Sequence, residues 1–180
     1  MVYIKTAEEI AAIRAGGKIL SKILKTLKAA VKPGVNTADL ETMMLSMVAA
    51  AGGRPSFKDY PMGGGIFFPS AICASVNEEV VHGSSLPGRI LVEGDIIDLD
   101  IGMEWPINSD LRRELGLPRN SESPAGGFYT DMCATVPVGK ISREAQRLIK
   151  TTKECLEAAI KKVRPGAHLN DIGGTIQGIA

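Results

Sequence analysis

One ten-residue stretch recurs in this chain with four positions identical. "VKPGVNTADL" at 31–40 and "VRPGAHLNDI" at 163–172 align without a gap at an offset of 132 residues, and each follows a lysine-bearing amphipathic stretch. Read as a duplication, the match predicts a helix-helix-sheet unit used twice. The second copy then reaches residue 180 before any strand, leaving apolar faces that the missing half-sheet would cover exposed or repacked. The alternative is coincidence, because Pro-Gly after a helix is common stop chemistry.

The flanking pattern supports helices on both sides of each stop. Apolar residues at Ile10, Ile13, Leu20, Leu24, Leu27 and Val31 recur at helical spacing, and Thr6 with Glu9 forms a capping box. A second helix is predicted from Thr37, turning Leu40, Met43, Met44 and Met47 inward and ending at Gly52-Gly53. That methionine cluster reads as core filler. Residues 57–138 change to short β-like runs, "GGGIFF", "AICASVN", "RILVEGDIIDLDIGM" and "GFYTDMCATVPVG", punctuated by glycine and proline. Helical spacing returns over 142–163, and a last helix opens near Asn170. The expected fold class is therefore α/β (α+β).

Bulk properties narrow the partners. With 44% apolar and 23% charged residues, 180 residues suffice for a substantial core. Lys plus Arg is 21 against Asp plus Glu at 20, which provides no net field to hold nucleic acid or an anionic membrane. Cys73, Cys133 and Cys155 are odd in number and far apart, which fits a reducing compartment better than a disulfide framework. Glu8 and Glu9 stand where a secretory leader would be apolar, and no run is long enough to span a membrane. A cytoplasmic protein is expected.

The chemistry concentrates in "DIIDLDIGMEW" at 95–105. Residues two apart on a strand share a face, so Asp98 and Asp100 point one way and Ile97, Leu99 and Ile101 the other. Asp131 is a third carboxylate in a neighbouring apolar-aromatic run. Two such runs joined by a polar connection predict a hairpin that presents the carboxylates to one point. Burying them unpaired costs several kcal/mol each, and neither run carries a basic partner beside its carboxylate. The readings are a shared hard divalent cation, or a structural or solvent-facing pair of the kind edge strands carry. Cys133 shares the Asp131 face and is expected to be a buried free thiol. His82, at a strand end upstream, reads as a satisfied polar residue or as a substrate-facing hydrogen-bonding group. His168 is expected in a solvated loop, and Gly63 to Gly65, lacking the Lys-Ser/Thr of a P-loop, as a flexible strand approach.

Taken together, "IKTAEEIAAIRAGGKIL", "AICASVNEEVVHG", "GDIIDLDIGMEW" and "GFYTDMCATVPVG" resemble type I (bacterial-type) methionine aminopeptidases across nearly the whole chain, as an N-terminal portion. The resemblance implies the pita-bread (creatinase/aminopeptidase) fold, an internally duplicated architecture around a curved antiparallel sheet. It implies removal of the initiator methionine of nascent proteins by a metal-activated water, with two divalent ions (Co, Mn, Fe or Zn) held by two aspartates, one histidine and two glutamates. By motif position the aspartates are Asp100 and Asp131, with Asp98 a neighbouring non-ligand. His82 is the substrate-contacting histidine, and Cys73 stands by the methionine side-chain pocket. The partners implied are the N-terminal methionine of nascent peptides and the ribosome, with no nucleic-acid specificity and no membrane.

Two departures qualify this. Asp100 and Asp131 are further apart than in the family, so residues 106–127 read as a loop inserted into the metal-ligand hairpin of a single domain, 1–180, that is incomplete at its C-terminus. The family's metal histidine and both glutamates have no counterpart here, so no catalytic residue is assigned. The 180-residue chain is expected to be a weak or inactive hydrolase unless a second polypeptide supplies the rest. The competing expectations are an inactive pita-bread peptide- or ribosome-binding module and a related X-Pro peptidase, the latter disfavoured by "SVNEEVVHG".

Overall fold

Thr6 opens the first helix as predicted. Its hydroxyl accepts from the Glu9 N–H at 3.2 Å, and the Glu9 carboxylate accepts from the Thr6 N–H at 2.8 Å. This is a computed structural model and describes residues 4–180; the first three residues of the stretch read above for a leader lie outside the described residues. Helix α1 runs Ala7–Ala30 and buries Leu20, Ile23, Leu24 and Leu27. Ile10, expected inward, is 45% exposed. Near that end the helix turns Ala12 and Gly16 to the sheet instead, because Thr130 and Trp105 come so close that a Cβ on Gly16 would lie 3.4 Å from Thr130 Cγ2. Small side chains set that contact.

Helix α2, Thr37–Ala50, is capped by Asn36, whose side chain accepts from the Ala38 N–H at 2.9 Å. Leu40, Met44 and Val48 are fully buried, while Met43 and Met47 pack partly buried at the edge of the core. Gly52, in a left-handed conformation at φ +76°, carries the chain out of the helix.

The sheet is organised around one strand. After the short β1 (Arg54–Pro55) and a ribbon of β2 (Pro61–Gly63) with β3 (Ile66–Phe67) come β4 (Ile72–Val76) and β5 (Ile96–Trp105). One edge of β5 pairs with β4 and, further along, with β1; its other edge pairs over its full length with β6 (Phe128–Pro137), all antiparallel. The strand predicted to begin at Arg89 begins only at Ile96. Asp95 accepts from the Val92 N–H at 2.9 Å and Gly94 adopts φ +101°, so residues 92–95 make a turn where the sequence reads as an apolar run.

Between β5 and β6, residues 106–127 contain helix α3 (Ser109–Glu114), capped by Asn108. Arg112 is buried there and donates to the carbonyls of Pro106 at 3.2 Å and Ala125 at 2.8 Å.

The chain divides into two compact units, Met1–Gly139 and Lys140–Ala180. The second consists of α4 (Arg143–Ile160), capped by Ser142, and α5 (Leu169–Gln177), whose N-cap is His168. Helix α4 ends before the predicted Val163. Its buried residues are Cys155 and Ala159, while Leu148, Leu156 and Ile160 are exposed. The repeat is mirrored in backbone conformation: Gly34 and Gly166 adopt φ +87° and +82°, and α2 and α5 both open three residues later. Among the described residues, no helix is long and apolar enough to cross a membrane.

Candidate active site

Alternation along β5 decides which side chains meet. Ile97, Leu99, Ile101, Met103 and Trp105 face the helices and are buried in the core. Asp98 and Asp100 face the other way, so the carboxylates do not sit inside the core. They lie on the second face of a half-buried sheet, where a strand rich in isoleucine carries them without the full desolvation cost.

Register then brings the predicted residues together. Asp100 lies opposite Cys73 of β4 on one side and Cys133 of β6 on the other, and Asp131, opposite Gly102, is its diagonal neighbour on the same face. Asp100, Asp131, Cys73 and His82 line one cleft of about 520 Å³ together with Phe57, Tyr60, Pro61, Met62 and Phe68. Asp98 is held by the Thr135 hydroxyl at 2.9 Å and does not line it.

The electrostatics of the cleft follow from crowding. Burial, the charge of Asp131 and hydrogen bonding with it, and then the charge of Asp98 push Asp100 up to about 7. Burial followed by the charges of Asp100, Asp131 and Asp98 pushes the Cys73 thiol up to about 12, so it is a neutral, weakly polar wall rather than a nucleophile. Cys133, expected to be buried, is an exposed free thiol. Partial desolvation of its sulfur, followed by the same three carboxylates, raises its pKa as well.

Local structure explains how each group is positioned. His82 takes a left-handed backbone, φ +59°, at the end of a loop that folds back along β4: the Ala74 N–H donates to the Gly83 carbonyl at 2.6 Å, and the Gly83 N–H to Ser75 Oγ at 3.1 Å. A Cβ at Gly83 would stand 2.9 Å from Ser75 Cα, so the close approach requires glycine. Gly102 does the same for the aromatic wall, since a Cβ there would collide with Ser56 Oγ and the Phe57 ring.

Two buried acids were not foreseen. Glu41 of α2 accepts from the N–H groups of Ala71 (2.7 Å) and Ile72 (3.1 Å) and from Ser85 Oγ (2.8 Å), fixing the entry to the strand that carries Cys73. Glu104 has no exposure and accepts from Arg54 Nε at 2.6 Å, the Gly127 N–H at 3.0 Å and the Ser123 hydroxyl. Burial alone would raise its pKa, but these hydrogen bonds outweigh burial and hold it below the usual carboxylate range. Its parity with Asp98 and Asp100 along β5 was the available signal. The cleft residues Phe57, Tyr60, Pro61, Met62 and Phe68 carried no motif; only the fold gathers them.

The cleft joins Asp100, whose carboxyl is raised, and the carboxylate of Asp131 to an aromatic wall, a donor pair of the hard-oxygen kind beside apolar surface. The chain belongs to metallopeptidase family M24, whose model matches residues 11–124 and 120–180. It is 38% identical to a methionine aminopeptidase of Clostridium acetobutylicum over 177 residues, 98% of this chain and 61% of that protein. A solved methionine aminopeptidase of Thermotoga maritima superposes with a TM-score of 0.81 at 32% identity, covering 99% of this chain and 62% of that one. The aminopeptidase P of Escherichia coli, at 19% identity and a TM-score of 0.73, shares the fold. The pita-bread fold expected above is thus the fold of this chain, which spans about three-fifths of the length of the methionine aminopeptidases it matches.

The donor set fits a divalent ion in kind. Asp100 and Asp131 offer hard carboxylate oxygens, and the charge of Asp131 together with a hydrogen bond to it helps hold a proton on Asp100. Among the described residues, however, no group of three or more His, Cys, Asp or Glu side chains is gathered to hold one.

Proposed function

We propose that this chain carries the substrate pocket and two of the metal ligands of a metalloaminopeptidase that removes N-terminal methionine. The observation that carries the reading is the sharing of one cleft by Asp100 and Asp131 with Phe57, Phe68 and Cys73. Asp100 and Asp131 would hold a divalent ion, which when bound would supply Lewis acidity for hydrolysis. The chain's own residues do the rest. Phe57 and Phe68 exclude water from the apolar side chain, and the neutral thiol of Cys73 gives a thioether a soft neighbour. The carboxylates attract the peptide's α-amino group, and His82, at the cleft wall, hydrogen-bonds the peptide. Residues 106–127 are an insertion in the metal-ligand hairpin, and the substrate is the start of a nascent polypeptide.

Calorimetric titration with Mn, Co or Zn, and incubation of Met-Ala-Ser with each, test this. Weak divalent binding that disappears in Asp100→Asn and Asp131→Asn, with methionine released slowly, is the expected result, because two carboxylates make an incomplete ligand set. No binding at millimolar metal would favour a non-catalytic peptide-binding module.

A further inference from the structure

One wall of the cleft is compliant. Pro61 and Met62 lie on the β2–β3 ribbon and Tyr60 at its foot, all three lining the cleft. Among the described residues the ribbon is tied at its base, where the Asp59 N–H donates to the Phe68 carbonyl and the Phe68 N–H to the Tyr60 carbonyl, both at 2.9 Å, and Lys58 Nζ donates to the Pro69 carbonyl at 3.1 Å. Beyond that base both strands are exposed along their whole length. Its turn, Gly63 to Gly65, has three positive φ angles, and a Cβ at any of the three would meet no atom within 4 Å. A lone two-stranded ribbon is marginal in water, and glycine adds backbone freedom. The facing wall, by contrast, is the central pair of strands, β5 with β6.

The compliant wall is also the apolar one. Tyr60 is 63% exposed and Met62 59% exposed, although both border a cleft whose floor is Phe57, Phe68 and Cys73. Such side chains gain burial only if something fills the cleft or the ribbon moves inward.

We infer that the ribbon is the specificity element of this site: it closes over an unbranched apolar side chain seated on Phe57 and Phe68, with Met62 and Tyr60 as the closing contacts. The inference rests on the aminopeptidase reading for the identity of that side chain. An unbranched, polarizable Met62 adapts to a thioether, and closure converts exposed surface into contact only when the occupant is long enough to reach it.

The test uses the chain in millimolar MnCl₂, with calorimetry on Met-Ala-Ser and Ala-Ala-Ser and hydrogen exchange at the Asp59 and Phe68 amides. Met62→Ala and Tyr60→Ala should each weaken Met-Ala-Ser binding by about tenfold and leave Ala-Ala-Ser unchanged. Met62→Leu should restore most of the loss, and the unfolding midpoint should not move, because the ribbon supports no core. Exchange at the two amides should slow with Met-Ala-Ser and not with Ala-Ala-Ser. Equal binding by the parent chain and both alanine variants, or unchanged exchange, overturns the ribbon's role while leaving the aminopeptidase reading intact. A parent chain that does not prefer Met-Ala-Ser overturns both.

Discussion

Asp100 keeps a proton that an isolated aspartate gives up. Its carboxyl is raised from 3.8 to about 7 in the folded chain, so the stability it contributes is fully present below about pH 4 and is lost as pH rises toward 7. Asp100→Asn removes that loss. The metal-free variant should therefore melt higher than the parent at pH 8 and no higher at pH 4, as thermal unfolding at the two pH values will show; a lower midpoint at pH 8 would refute the assignment. Glu104 behaves in the opposite sense. Held low by Ser123, Arg54 and Gly127 against its burial, it contributes stability above the ordinary glutamate range that is lost on acidification. Glu104→Gln should cost about 1–3 kcal/mol in urea unfolding at neutral pH, because a strong acceptor for three donors becomes a weaker one with a misplaced N–H.

At the scale of elements, α1 and β6 are separated by little more than a glycine. With the added Cβ 3.4 Å from Thr130, Gly16→Ala fits and gains about 1 kcal/mol of helix propensity, whereas Gly16→Leu should lose about 1–3 kcal/mol by overpacking. Urea midpoints of the two variants distinguish a close-packed seam from a loose one. The capping box, both Pro-Gly stops and the face assignment of Asp98 and Asp100 were legible because each depends on side chains close in sequence. Ile10 was misplaced because helical period does not reveal that the partner strand approaches too closely for isoleucine. Residues 89–95 read as strand because apolar content is visible and the Asp95 carboxylate turned back onto Val92 is not.

For the whole molecule, the same offset that aligns the two stops carries Leu24 onto Leu156. Leu24 is buried against the sheet and Leu156 is 60% exposed. Leu24→Ala should cost about 2–5 kcal/mol and Leu156→Ala within about 0.5 kcal/mol, by chemical denaturation. The repeat thus predicted the order of helices and also an exposed apolar face on the second copy, where Leu148, Leu156 and Ile160 lie. Strand alternation put Asp100 and Asp131 on one face, and the resemblance pointed to His82 and Cys73; the fold gathers all four into one cleft. Cys133 was misjudged because its strand alternation was visible but the openness of that face was not. The apolar wall came from residues 57–68, which read as β-like runs broken by glycine and proline, with nothing in the pattern to say that they line the site.

Trp105 is the only tryptophan in the chain, and its indole N–H donates to the Ala51 carbonyl at 2.8 Å from the buried end of the strand that bears Asp100. The molecule therefore carries its own optical gauge. Fluorescence from this single ring should be blue-shifted in the native state and move to longer wavelength as the first unit melts, with no label attached.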